Sequence, residues 1–143
     1  MTGELVAVAQ AVVDELNAGS FSKPFTAERS YRPTFELADM KTLHVTVVPN
    51  GVVVSGLGRN QSQLDYRVDV AVQQRLKKAD LAEIDALMAL VQEVAEVFRF
   101  KRLAGHPQAA WVRTEHRAVY APEHMEELRQ FTSVFTLTFR AGR

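Results

Sequence analysis

The sequence contains no cysteine, and that absence removes disulfides, thiolate nucleophiles and thiolate metal sites at once. Net charge is missing too: 17 basic and 17 acidic residues cancel, and they are interspersed rather than gathered into blocks. The basic stripe that marks most nucleic-acid-binding domains is therefore lacking. Nowhere do about 18 apolar residues run consecutively, so no membrane-spanning helix is expected. The opening stretch MTGELVAVAQAVVDELN has no basic lead-in and is interrupted by Glu4, Asp14 and Glu15, so it reads as an amphipathic helix rather than a targeting segment.

What is present suits an ordinary folded chain. The hydrophobic share of 47% and charged share of 24% match globular averages, and 143 residues suffice for one core, so a single domain over residues 1–143 is expected. Leu5, Val8, Val12 and Leu16 fall at spacings of three and four, predicting a helix that ends near residue 18, before Gly19. A low-signal stretch follows in which Pro24 and Pro33 fit an edge strand around residues 26–32. Residues 41–49 alternate, with Leu43, Val45 and Val47 on one side. Pro49-Asn50-Gly51 then reads as a turn, and Val52-Val53-Val54-Ser55 as the returning strand of a hairpin. Residues 56–63 read as a polar, glycine-containing loop. The strongest strand signal is the alternation of Leu64, Tyr66, Val68, Val70 and Val72 with Asp65, Arg67, Asp69, Ala71 and Gln73.

Asp80 and Glu83 have capping-box spacing and open a long helix to about residue 100, with Leu87, Val91, Val94 and Phe98 in its buried stripe. Arg99, Lys101 and Arg102 are placed to complement its dipole, and Gly105 and Pro107 to stop it. Two strands complete the chain, over residues 109–120 and 131–140, with a short helical turn near Pro122 between them. Without a regular βαβ alternation or a repeat, the pattern predicts an α+β fold: a mainly antiparallel sheet with both helices packed on one face.

Catalytic signatures are scarce. His44, His106, His116 and His124 have no zinc-type spacing, and His44 and His116 are expected on solvated strand faces. Gly56-Leu57-Gly58 is only half of a dinucleotide fingerprint, and no phosphate loop or nucleophile elbow occurs. The acidic group Glu123, Glu126 and Glu127 sits in a polar turn where nothing indicates burial. No catalytic, metal or cofactor residue is assigned. More is carried by the charged strand faces, where Asp65, Arg67 and Asp69 can pair with Arg113, Glu115 and Arg117 across a sheet, at about 0.2–1 kcal/mol per good pair. Such a face serves either as a balanced wet surface or as an intersubunit surface. Residues 49–63 form the second candidate region, either a mobile loop or a segment that orders on a partner.

Four stretches bear a resemblance to a known family: LNAGSFSKPFTAERSYRP after the first helix, KTLHVTVVPNGVVVSGLGRNQSQLDYRVDVAVQQRL, the helix DLAEIDALMALVQEVAEVF and the final FTSVFTLTFR. Together they resemble the small tail terminator (tail completion) proteins of long-tailed bacteriophages, of the lambda type. The resemblance implies an α+β fold and a structural rather than enzymatic role in a virion tail or neck. It implies a hexameric ring that caps the tail tube, ends its growth and joins it to a neck or head completion protein. No cofactor and no membrane enter, and non-specific contact with passing DNA is an open question of the bore. Arg59, Asn60, Gln61, Gln63, Arg67, Asp69, Arg113, Glu115 and Arg117 become the candidate assembly interface. Two alternatives remain: another station of the same particle, such as a head completion protein or tube subunit, and a small-molecule site between the long helix and the sheet near Trp111, Tyr120 and Phe131.

Overall fold

Helix α1 (Glu4–Ala18) forms where the apolar stripe predicts it, burying Val8, Ala9, Val12, Val13 and Leu16. The computed structural model describes residues 3–31, 43–78, 80–118 and 130–142. After α1 come β1 (Ala27–Arg29), β2 (His44–Gly58) and β3 (Gln61–Arg75), then α2 (Leu81–Glu96), β4 (Arg102–Leu103), β5 (His106–Ala118) and β6 (Gln130–Gly142). The strands make one sheet in the order β1-β2-β3-β6-β5-β4. Among the described residues, the β1–β2 pair is parallel and the other pairs are antiparallel. The α+β expectation holds.

Both helices bury their stripes in one core. Its sheet side consists of Val45 and Val47 from β2, Tyr66, Val68, Val70 and Val72 from β3, and Phe131, Phe135, Leu137 and Phe139 from β6. These residues sit opposite one another in the register (Val47↔Val70↔Phe135, Tyr66↔Phe139), so they share one face, and the helices lie on it. Phe98 meets Phe139 edge-on with ring centroids 6.0 Å apart. Side-chain hydrogen bonds tie the layers together. The Asn17 amide accepts from the Ala27 N–H at 2.8 Å and donates to the Ala27 carbonyl at 3.1 Å, holding β1 to the end of α1. Glu15 accepts from the Ala104 N–H at 2.7 Å. Gly105 lets the β4–β5 turn lie against α1, where an added Cβ would come within 3.3 Å of the Ala11 Cβ.

Three boundaries differ from the sequence reading. The hairpin does not turn at Pro49-Asn50-Gly51. β2 runs straight through to Gly58, and those three residues make a bulge against β3. The reason is local. The Val47 carbonyl accepts from Ser30 on the β1 side, and Pro49, two residues on, aims its missing donor at the same outer edge, where proline is tolerated. Asn50 then donates to both Asp69 oxygens, at 3.0 and 3.1 Å. The real turn is Arg59-Asn60, with Asn60 at φ 64°, a left-handed conformation asparagine adopts at low cost. Residues 56–63, read as a loop, are mostly strand.

Helix α2 ends at Glu96, short of residue 100. Phe100 at φ 57° turns the chain into β4, so no basic residue falls in the last helical turn, and Gly105 and Pro107 lie beyond the stop. At its start, Asp80 accepts from the Glu83 N–H at 2.9 Å as predicted. The Glu83 carboxylate reaches back further than a capping box requires, accepting from the Lys77 and Lys78 N–H groups at 2.9–3.1 Å. The edge strand expected at 26–32 appears as β1. The acidic turn near Pro122, with His124 and Tyr120, lies outside the described residues.

Candidate assembly surface

The face of the sheet away from the helices carries the charge. Asp65 and Arg67 on β3, Arg140 on β6, and Arg113 and Glu115 on β5 share it, because the register joins Asp65 to Arg140, Arg67 to Thr138 and Thr138 to Arg113. Arg140 holds Asp65 in a two-pronged pair, Nε to Oδ1 at 2.8 Å and Nη2 to Oδ2 at 3.1 Å. Turning the Gln63 amide so that its oxygen faces the guanidinium adds two bonds at 3.1 Å. The Arg140 hydrogen bond holds the Asp65 carboxyl below its ordinary range. Partial burial opposes this, and the charges of Arg140, Arg113 and Arg67 reinforce it. Asp69 accepts from the Thr136 hydroxyl at 2.7 Å, and Arg113 pairs along its own strand with Glu115 at 3.3 Å.

The cross-strand expectation therefore needs correction. β6 lies between β3 and β5, so Asp65 and Asp69 take Arg140 and Thr136 from β6 as their direct partners, and Arg113 acts on Asp65 only through its charge. Strand order is a long-range property that local alternation does not encode. Arg140 was missed, although its even spacing from the threonines of β6 already put it on the charged side. Of the other candidates, Gln63, Arg67, Asp69, Arg113 and Glu115 are brought onto one face, Arg59, Asn60 and Gln61 sit at the hairpin tip, and the Arg117 side chain lies outside the described residues. The face is not wet throughout. Thr136 and Thr138 are buried between the charges, and Thr46, Ala71 and Gln73 are buried towards its other end.

The hairpin arm is the second feature. Among the described residues, β1 covers β2 only at Val45, Thr46 and Val47. Beyond it Val52, Val53, Val54 and Leu57 are 40%, 45%, 64% and 58% exposed, on both sides of the strand. No charged residue occurs from residue 44 to 58. Large apolar side chains are thus left in water on a strand whose outer edge, among the described residues, no strand covers beyond Val47.

A groove of about 670 Å³ runs along α2, lined by Met88, Ala89, Val91, Gln92, Ala95, Glu96, Asp85 and His116. His116 lies on the helix side of the sheet, its ring 5.2 Å from Phe135, yet remains exposed to solvent as expected, and its partial burial lowers its pKa below 6.5. Trp111 donates to Thr114 at 2.9 Å and meets Phe100 edge-on, while Phe131 is fully buried in the core, so these two of the three aromatics proposed to line a ligand site are spent on packing, and Tyr120 lies outside the described residues. Among the described residues, no group of three or more metal-ligating side chains occurs, and no helix is long and apolar enough to cross a membrane.

No family model and no curated protein matches the chain. Two solved particle structures carry its fold. A chain in the virion of a native gene transfer agent particle matches with a TM-score of 0.61, covering 96% of this chain and 96% of its own, at 15% identity. The sheath/tube terminator of an extracellular contractile injection system, in its extended state, matches with a TM-score of 0.51 at 13% identity. That match covers 100% of this chain but 58% of the terminator chain, so the protein spans little more than half its length. At these identities the likeness is one of fold.

Proposed function

We propose that this protein is a structural component of a phage-tail-type particle, and that it is a tail terminator. In this reading residues 1–143 form one domain, and six copies form a ring that caps the tail tube, ends its polymerisation and joins it to the neck or to a head completion protein. The observation that carries the reading is the fold shared along the whole chain with a sheath/tube terminator. The surface supports it, because large apolar side chains exposed on an uncharged arm suit burial against other protein. A closed ring needs two different complementary patches per subunit, and closure limits its own growth, which is what a cap requires.

The charged face fits such a ring as a specificity surface. Its carboxylates and guanidiniums are largely paired within the subunit, so it offers a passing DNA duplex little uncompensated positive charge. The α2 groove carries acidic, amide and imidazole groups, but its polar side chains do not converge in hydrogen-bonded contact with one another as those of a catalytic site would. In this reading the function is structural rather than enzymatic.

Another station in the same kind of particle draws on the same fold likeness, and deletion separates the readings. Overlong or headless tails are expected for a terminator; tailless heads without tubes would make the chain a tube subunit instead. Mass measurement and electron microscopy test the ring. Hexamers, alone or on tubes, are expected, and a strict monomer in both settings would overturn it.

A further inference from the structure

We infer that the ring closes by β-sheet pairing between the free outer edge of β2 in one copy and the free outer edge of β5 in the next, an assignment that rests on the ring reading above. The two edges terminate the same sheet at opposite sides. Among the described residues, β1 blocks β2 only over residues 45–47, and residues 101–103 block β5 only up to Trp111, whose N–H donates to the Lys101 carbonyl. Among the described residues, no strand pairs with the rest of either edge.

The free parts are compatible in direction, and the four-residue stretch on β5 fits within the six-residue stretch on β2. On β2, residues 51–56 form a regular stretch between two bulges, and on β5 the regular stretch runs over residues 113–116, also between bulges. β2, β3, β6 and β5 alternate in direction. Four is an even number, so a head-to-tail repeat brings β2 and the next copy's β5 together antiparallel, continuing the alternation without a break. The chemistry of the edges also differs in the useful sense. Two copies of the uncharged β2 edge would give a two-fold pair that ends assembly at a dimer, whereas β2 against β5 leaves a new β2 edge open until the ring closes.

The stagger has the right size. Val53 is level with Ala110 through Asp65 and Arg140, whereas the middle of the free β5 stretch is Glu115. One of the five intervening positions is absorbed by the bulge between Trp111 and Arg113. Pairing the free edges thus shifts each copy by about four residues, roughly 13 Å, across four strands spanning roughly 19 Å. That corresponds to strands tilted by about 35° to the ring axis, within the range at which sheets close on themselves. Val53 and Glu115 then meet on the charged face of a continuous sheet.

The cysteine-free sequence makes the test clean. Val53→Cys with Glu115→Cys, and separately Val53→Cys with Arg113→Cys to allow a two-residue change of register, place paired thiols only at the proposed junction. Oxidation is expected to produce a ladder of covalent oligomers ending at the ring size for one of the two double variants, while each single variant stays uncross-linked. Rings that assemble by mass but give no ladder with either double variant would overturn the edge pairing and leave the ring reading standing. Dimers from Val53→Cys alone would overturn it in favour of a two-fold β2 contact. A chain that stays monomeric, alone and on particles, would overturn both.

Discussion

Val45 and Val47, in the lower half of β2, are 1% and 0% exposed, whereas Val52 and Val54, on the same face in the upper half of the strand, are 40% and 64% exposed. The residue type, the backbone and the pairing partner β3 are the same. What changes is the cover, since α1 and β1 lie over the lower half. A buried valine contributes about 1.5–3 kcal/mol relative to an exposed one, so the lower half helps hold the fold while the upper half contributes little to it. Three valines and a leucine are thus kept on a part of the molecule that folds without needing them. The difference separates residues that make the subunit from residues available to make the assembly.

Substitutions in the covered region should be the most damaging. Leu137→Ala removes a fully buried side chain opposite Val68 and is expected to cost about 2–5 kcal/mol, read as a lower denaturant midpoint. Asn17→Ala should cost about 1–3 kcal/mol, because both backbone groups of the buried Ala27 lose their partner, and amide exchange at Ala27 should accelerate. On the charged face the effect is smaller and depends on pH. The folded Asp65 carboxyl titrates below 3.8, so the stability it confers is present above that value and lost as pH falls through the folded one. Asp65→Asn should flatten that acid limb. His116, also lowered, acts in an earlier window: the folded state resists its protonation, so stability declines as pH falls below 6.5, and His116→Asn should remove that step. On the arm, Val54→Lys should change stability by no more than about 0.5 kcal/mol.

How far the sequence announces these regions follows from the range of the interactions. Helix α1, the Asp80 cap and the alternation of β3 are local, and all three were legible as periodicity or capping. Pro49-Asn50-Gly51 misled because its local chemistry is that of a turn. Only the neighbour on one side of β2 shows that the missing donor of Pro49 harms nothing. The partner of Asp65 was illegible for a similar reason: Arg140 is distant in sequence, and β6 inserts itself between strands whose charges alone invited pairing. Within the candidate surface, the alternating charges of β3 and β5 correctly marked one face. The arm was marked at residues 49–63, but as a loop; its exposed valines stayed hidden, since a valine run in sequence reads as core until the structure shows how little covers it.

The comparison is tested most directly by measuring assembly mass and thermal midpoint together for the natural chain and for Val54→Lys. The account predicts a ring for the natural chain and a single subunit for the variant, with midpoints that agree once subunit association is excluded by dilution. A ring that persists in the variant, or a variant that loses its fold along with its partners, would contradict the division of the hairpin into a half that folds and a half that assembles.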